Sequence, residues 1–133
     1  ENAQLLKLKE RSDFSRSNWF GGLRNLKFDI ILCNPPYISR EEKQDLQDEV
    51  LIFDPEQALF SDKKGLADYE IIFSNLAKHL NPNGIALIEI GYNQLERVSD
   101  LARLSNLHVY NVFKDLQGIP RCMILCHQNN TVL

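Results

Sequence analysis

The sequence lacks what several broad classes of protein require. No apolar run approaches the roughly 20 residues needed to cross a bilayer. No basic-then-apolar start resembles a signal peptide, so no membrane partner is expected. Cysteines number three, Cys33, Cys122 and Cys126, an odd set without framework spacing. They read as reduced thiols in a cytoplasmic setting. Cys122, Cys126 and His127 share one short predicted strand and could not surround zinc without distant ligands, so no metal is expected. His79 and His108 have no carboxylate or nucleophile pattern around them. Internal repeats, low-complexity tracts and Pro/Ser-rich linkers are absent as well.

What remains is ordinary globular composition: 133 residues, 44% hydrophobic and 25% charged. That is enough for one domain with a modest core. The net charge is −3 and is unevenly spread. Residues 40–70 hold ten acids against four bases, which leaves the remainder at +3. An acidic segment on a near-neutral body suits a basic partner surface and fits poorly against duplex DNA. A solvated charged helix is the plainer account of the same run.

Periodicity gives the elements. Residues 1–12 look like a helix end and a polar turn, and 13–16 a short strand. Phe28–Cys33 (FDIILC) is a compact, β-branched run typical of a buried parallel strand. Asn34-Pro35-Pro36 stops it. Ser39 and Glu42 form a capping-box pair for a short charged helix running to about Glu49. Leu66, Tyr69, Ile72, Phe73, Leu76, Ala77 and Leu80 recur at helical spacing until Asn81-Pro82-Asn83-Gly84. Ile85–Ile90 is the next buried strand, interrupted by the single charge of Glu89. Asn93 and Glu96 cap a further helix, with Leu95, Val98, Leu101 and Ala102 inward. His108–Lys114 and Cys122–His127 are strands joined by a turn in which Asp115 and Arg121 can pair. Strands alternating with helices predict a parallel α/β sheet, helices on both faces, with an antiparallel hairpin at its end.

Asn34-Pro35-Pro36-Tyr37 carries the chemistry. Ligands of open α/β sheets sit beyond the carboxyl ends of strands, and this loop directly follows one. Each proline fixes its own φ and restrains the residue before it, so Asn34 and Pro35 are both constrained. Neither proline has an N–H, and the loop therefore offers carbonyl acceptors with few competing donors. Asn34 adds a side-chain acceptor and Tyr37 a flat ring. Two acceptors suit a planar NH₂ group, hold it in line with an electrophile, and favour positive charge developing on its nitrogen. The loop reads as the acceptor side of an amino-methyltransferase.

Beyond this loop, Ser17-Asn18-Trp19-Phe20, FDIILCNPPYI at 28–38, Asp54-Pro55 before Ala58-Leu59, Gly65-Leu66 with Asp68-Tyr69, Glu89-Ile90-Gly91 with Gln94, and Lys114-Asp115-Leu116 with Gly118 and Arg121 follow in order. In this order and spacing the chain resembles the C-terminal part of the HemK-type release-factor glutamine methyltransferases. The resemblance implies a partial doubly wound (Rossmann-like) class I methyltransferase sheet over 1–128, ending in an antiparallel hairpin, with 129–133 a tail or the start of a linker. It implies S-adenosylmethionine as cofactor and, as partner, the Gly-Gly-Gln loop of a peptide-chain release factor, whose glutamine amide nitrogen is methylated. Nucleic acid is not expected as the direct substrate, although N6-adenine DNA and guanine-N2 RNA methyltransferases share the loop. Asn34, Pro35 and Tyr37 would be catalytic and, with Pro36, substrate-binding. Asn18, Trp19 and Asn34 would meet the cofactor, Trp19 beside the adenine unless it simply packs in the core. A carboxylate at Glu89 would support these loops. Two departures stand out. The family usually has aspartate where this chain has Asn18, and glutamate where it has Asp54. None of the glycines forms the family's glycine-rich cofactor loop, which the resemblance would place upstream, so a non-catalytic fragment is the competing expectation.

Overall fold

The computed structural model describes residues 1–130. The expected tail lies outside the described residues from position 131 onward. Among these residues six α-helical segments, α1 (Asn2–Leu5), α2 (Asp48–Phe53), α3 (Glu56–Leu59), α4 (Asp62–Gly65), α5 (Ala67–His79) and α6 (Leu95–Leu104), accompany four strands. The strands are β1 (Phe28–Cys33), β2 (Leu80–Glu89), β3 (Leu107–Lys114) and β4 (Pro120–His127).

The sheet order is β1-β2-β4-β3. β1 and β2 are parallel, and β4 runs antiparallel to both β2 and β3. The predicted closing hairpin is therefore present, with its second strand inserted between β2 and β3. β2 is longer than the predicted strand. Its register against β1 jumps from Phe28↔Leu80 to Ile30↔Ile85, so the Asn81-Pro82-Asn83-Gly84 segment is absorbed as an irregularity within the strand.

The apolar stripe predicted for α5 is the core. Tyr69, Ile72, Phe73 and Leu76 are buried together with Ala86 and Ile88 of β2, Met123 and Leu125 of β4, and Val98 and Ala102 of α6. Both long helices thus share one face of the sheet, not the two that alternation predicts. The topology explains this. The crossovers run the same way along the sheet, β1 to β2 and then β2 past β4 to β3. Crossovers of one hand travelling in one direction put their helices on one side. On the opposite face Ile30 and Leu32 stay 61% and 74% exposed.

Local differences have local causes. Residues 13–16 form no strand. After Ser39 the chain winds as a 3-10 helix (Arg40–Asp45), with the Ser39 side chain accepting from the Glu41 N–H at 3.3 Å. The Glu42 N–H goes to the Ser39 carbonyl, the i→i+3 pattern of the tighter helix. Asn93 does not cap α6. Its φ is 58°, and Gln94 is the N-cap residue, its side chain directed elsewhere.

Candidate active site

β1 delivers Asn34-Pro35-Pro36-Tyr37 at its carboxyl end, beside the carboxyl end of parallel β2. Pro35 is fully buried. The chain then docks against the segment after α3. Ile38 N–H donates to Leu59 O at 3.0 Å, Ser61 N–H donates to Ile38 O at 2.9 Å, and Ile38 bridges Phe60 in parallel. A loop whose prolines cannot donate is thus held by its neighbours.

Tyr37 is anchored most closely. Its hydroxyl donates to Glu89 Oε1 at 2.9 Å. The carbonyl of Glu89 accepts from the Tyr69 hydroxyl of α5 at 3.0 Å. The lone charge of β2 has the partner that a part-buried carboxylate needs. Burial, then the Glu89 hydrogen bond and charge, raise the Tyr37 pKa above the ordinary phenol value, with Arg121 opposing. The Tyr69 hydroxyl is pushed up further, chiefly by burial. Tyr37 is therefore a neutral phenol at physiological pH and cannot act as a base. Arg121 ion-pairs with Asp115 at 3.3 Å, as the sequence suggests.

Three concavities flank the loop. One of about 120 Å³ is lined by Asn34 through Ile38 together with Ala58 and Leu59. A second, of about 410 Å³, opens on the uncovered sheet face and is lined by Asn34, Leu32, Glu89 and Arg121 among others. The third, of about 450 Å³, contains Asn18, Trp19, Pro36, Phe60 and Asp68. Asn34 thus belongs to the first two, and Asn18 with Trp19 to the third. Pro36 joins the Trp19 side to the loop side.

Trp19 sits in a turn held by its own side chains. Ser17 Oγ donates to Trp19 O at 2.8 Å and accepts the Gly22 N–H at 2.7 Å. Trp19 has φ 49°, a left-handed conformation costly for a bulky residue. Its indole N–H donates to Asp68 Oδ1 at 3.1 Å, and the next residue, Phe20, stacks on His79 with centroids 4.6 Å apart. The turn is thereby pinned to both ends of α5. Trp19 also packs against the core, the plainer of its two expected roles. For a purine, this concavity offers aromatic walls, the amide of Asn18 and the second oxygen of Asp68. These groups fit one end of S-adenosylmethionine.

Asp68 had no role assigned from sequence. It also helps raise the Cys33 thiol, after burial, to about 11. Its signal was an acidic residue in the first turn of α5, a position that ordinarily reads as a helix-dipole partner. In the sequence Gln94 likewise stands only as part of the Glu89-Ile90-Gly91 motif.

The family model described as Eco57I restriction-modification methylase matches residues 1–108. The chain belongs to this methylase family. A "Bifunctional methyltransferase" of Rickettsia felis is 41% identical over 92% of the chain, which covers 23% of that protein. A "Release factor glutamine methyltransferase" of Fusobacterium nucleatum is 38% identical over 93% of the chain, which covers 35% of it. These relatives bear out the HemK-type resemblance read from residues 17–121. The chain spans about a quarter to a third of their length. Among solved structures, a release-factor-specific protein-(glutamine-N5) methyltransferase from Alicyclobacillus acidocaldarius aligns with 76% of this chain and 50% of its own, at 23% identity and TM-score 0.46. The mixed sheet ends in the antiparallel hairpin that the sequence predicts.

Proposed function

We propose that the protein carrying this chain methylates the side-chain amide nitrogen of the glutamine in a release factor's Gly-Gly-Gln loop, and that residues 1–128 form the C-terminal portion of its catalytic domain. The donor is S-adenosylmethionine, which supplies an electrophilic methyl group when bound. The observation that carries the reading is the Asn34–Tyr37 loop at the end of β1, with the Tyr37 hydroxyl committed to Glu89. An amide nitrogen is a weak nucleophile, and removing its proton first would need a strong base. A raised phenol is not one. What this loop offers is placement. The Asn34 side-chain oxygen and the Pro35 carbonyl accept the two amide N–H bonds and favour the positive charge that develops on nitrogen. Tyr37 lies flat beside the acceptor, and the displaced proton leaves to water. Asn18 and Trp19 receive the adenine end of the donor.

The name of the Fusobacterium nucleatum relative supports a protein acceptor. The acidic run at 40–70 supports it too, since a surface of that sign repels nucleic acid. A nucleobase acceptor is the rival, because the family's printed description is a restriction-modification methylase. The test is transfer of tritiated methyl by the full-length protein, offered release factor, DNA and RNA in turn. Label in the release factor, lost when the glutamine becomes alanine, is the expected result. Label in nucleic acid alone sinks the proposal.

A further inference from the structure

The prolines of the acceptor loop cannot anchor themselves by N–H bonds, so something else must fix the main chain between β1 and Tyr37. The hydroxyl of Tyr37 fixes only the far end of its side chain. Its carbonyl is held separately. Gln94, 57 residues away in sequence, donates from Nε2 to Tyr37 O at 2.9 Å. The same side chain accepts the Gly91 N–H on Oε1 at 3.2 Å. One planar amide therefore ties the loop after β1 to the loop after β2. Gln94 is only 7% exposed, so each of these groups would lose a partner that water could not readily replace.

Two glycines make room for this amide. A Cβ on Gly91 would lie 2.5 Å from Gln94 Oε1 and 2.9 Å from the Tyr37 ring. A Cβ on Gly65, whose φ is +79°, would lie 2.0 Å from Tyr37 O and 2.6 Å from Gln94 Nε2. The chemistry is specific to an amide. A carbonyl and an N–H must be met at once, by a donor and an acceptor on one rigid group. Glutamate would set an oxygen against the Tyr37 carbonyl unless protonated, and alanine would meet neither.

We propose that Gln94 is a positioning residue for the methyl acceptor. By holding the Tyr37 carbonyl at a fixed distance from the end of β2, it sets where Asn34 and the Pro35 carbonyl stand. The assignment rests on the function proposed above. Positional errors of about an ångström at a reacting centre cost on the order of 100-fold in rate, so such a clamp matters to turnover far more than to donor binding.

The test compares Gln94→Ala and the near-isosteric Gln94→Glu with wild type in the full-length protein. Methyl transfer to release factor, donor affinity by calorimetry and amide hydrogen exchange are measured. Gln94→Ala should lower kcat by about 100-fold with donor affinity unchanged, and the amides of Ile38, Ser61 and Gly91 should lose protection. Gln94→Glu should be poor above neutral pH. Its rate relative to wild type at the same pH should climb as pH falls, because a protonated carboxyl restores the donor and burial raises its pKa. Its Gly91 amide should stay protected throughout. A Gln94→Ala enzyme with near-normal kcat overturns the proposal, as does a Gln94→Glu ratio flat with pH. If wild type transfers nothing to release factor, the substrate assignment falls, while loss of protection at Ile38 and Ser61 in Gln94→Ala still supports the clamp.

Discussion

At the scale of single residues, the proposed function divides the work of one loop between Asn34 and Tyr37. Asn34→Ala should remove an oriented transition-state partner, at a cost of roughly 2.7–4 kcal/mol by analogy with loss of one oxyanion donor. That is about 10²–10³ in kcat, with donor affinity little changed, and single-turnover kinetics measure it. Near-normal turnover would reduce Asn34 to a strand-ending residue. Tyr37→Phe keeps the ring but leaves Glu89 without its hydroxyl. The damage should be to stability, about 1–3 kcal/mol by urea titration, with kcat falling less than in Asn34→Ala. Cys33 gives a pH signature. Its folded pKa of about 11 stands above the ordinary thiol value of 9.0, through burial first and Asp68 second. A raised pKa favours the neutral thiol in the native state. The stability it contributes is complete below pH 9.0 and is lost as pH rises through about 11. Denaturation midpoints should drop over that window, and Cys33→Ser should shrink the drop. A drop of equal size in the variant would assign it to other groups.

At the scale of elements, glycine placement makes the sharpest expectation. Gly65→Ala forces a Cβ into the Tyr37 carbonyl at a left-handed position and should cost more than the usual 1 kcal/mol of a misplaced alanine. Gly118 also has positive φ, at +83°, but a Cβ there meets nothing within 4 Å, so Gly118→Ala should be the milder change. Thermal melts of the pair compare crowding with backbone strain alone. The elements themselves were largely legible. The Leu66-to-Leu80 stripe, the FDIILC strand and the closing hairpin announce themselves through periodicity, because burial on one face leaves a regular pattern. The loops around the site were legible only in part. The prolines fix where β1 stops, but no local pattern tells that Glu89 meets Tyr37 or that Asp68 meets Trp19 across 52 and 49 residues. Asn93 looked like a cap because its side chain suits one. The chain uses it instead for a left-handed turn that frees Gln94 to reach Tyr37.

At the scale of the whole molecule, the uncovered sheet face dominates. Ile30 and Leu32 are exposed together on β1, and no named strand among the described residues pairs with its far edge. An apolar face beside a free edge is a template for association. The 133-residue chain in isolation should therefore sediment as more than a monomer at micromolar concentration, and a clean monomer would show that the face is tolerated. Calorimetry on the same material should find donor binding weaker than micromolar, since under the proposed function the Trp19 concavity would receive only one end of the donor. The strand order has one more consequence, and it concerns time. β1, β2 and β3 are made first, yet β3 does not touch β2 in the sheet; β4, made after all three, fills the space between them. A nascent chain that has emerged only as far as β3 holds two incomplete edges and a gap. Sheet closure must wait for residues 120–127, so a ribosome paused shortly before them would display an open, aggregation-prone intermediate.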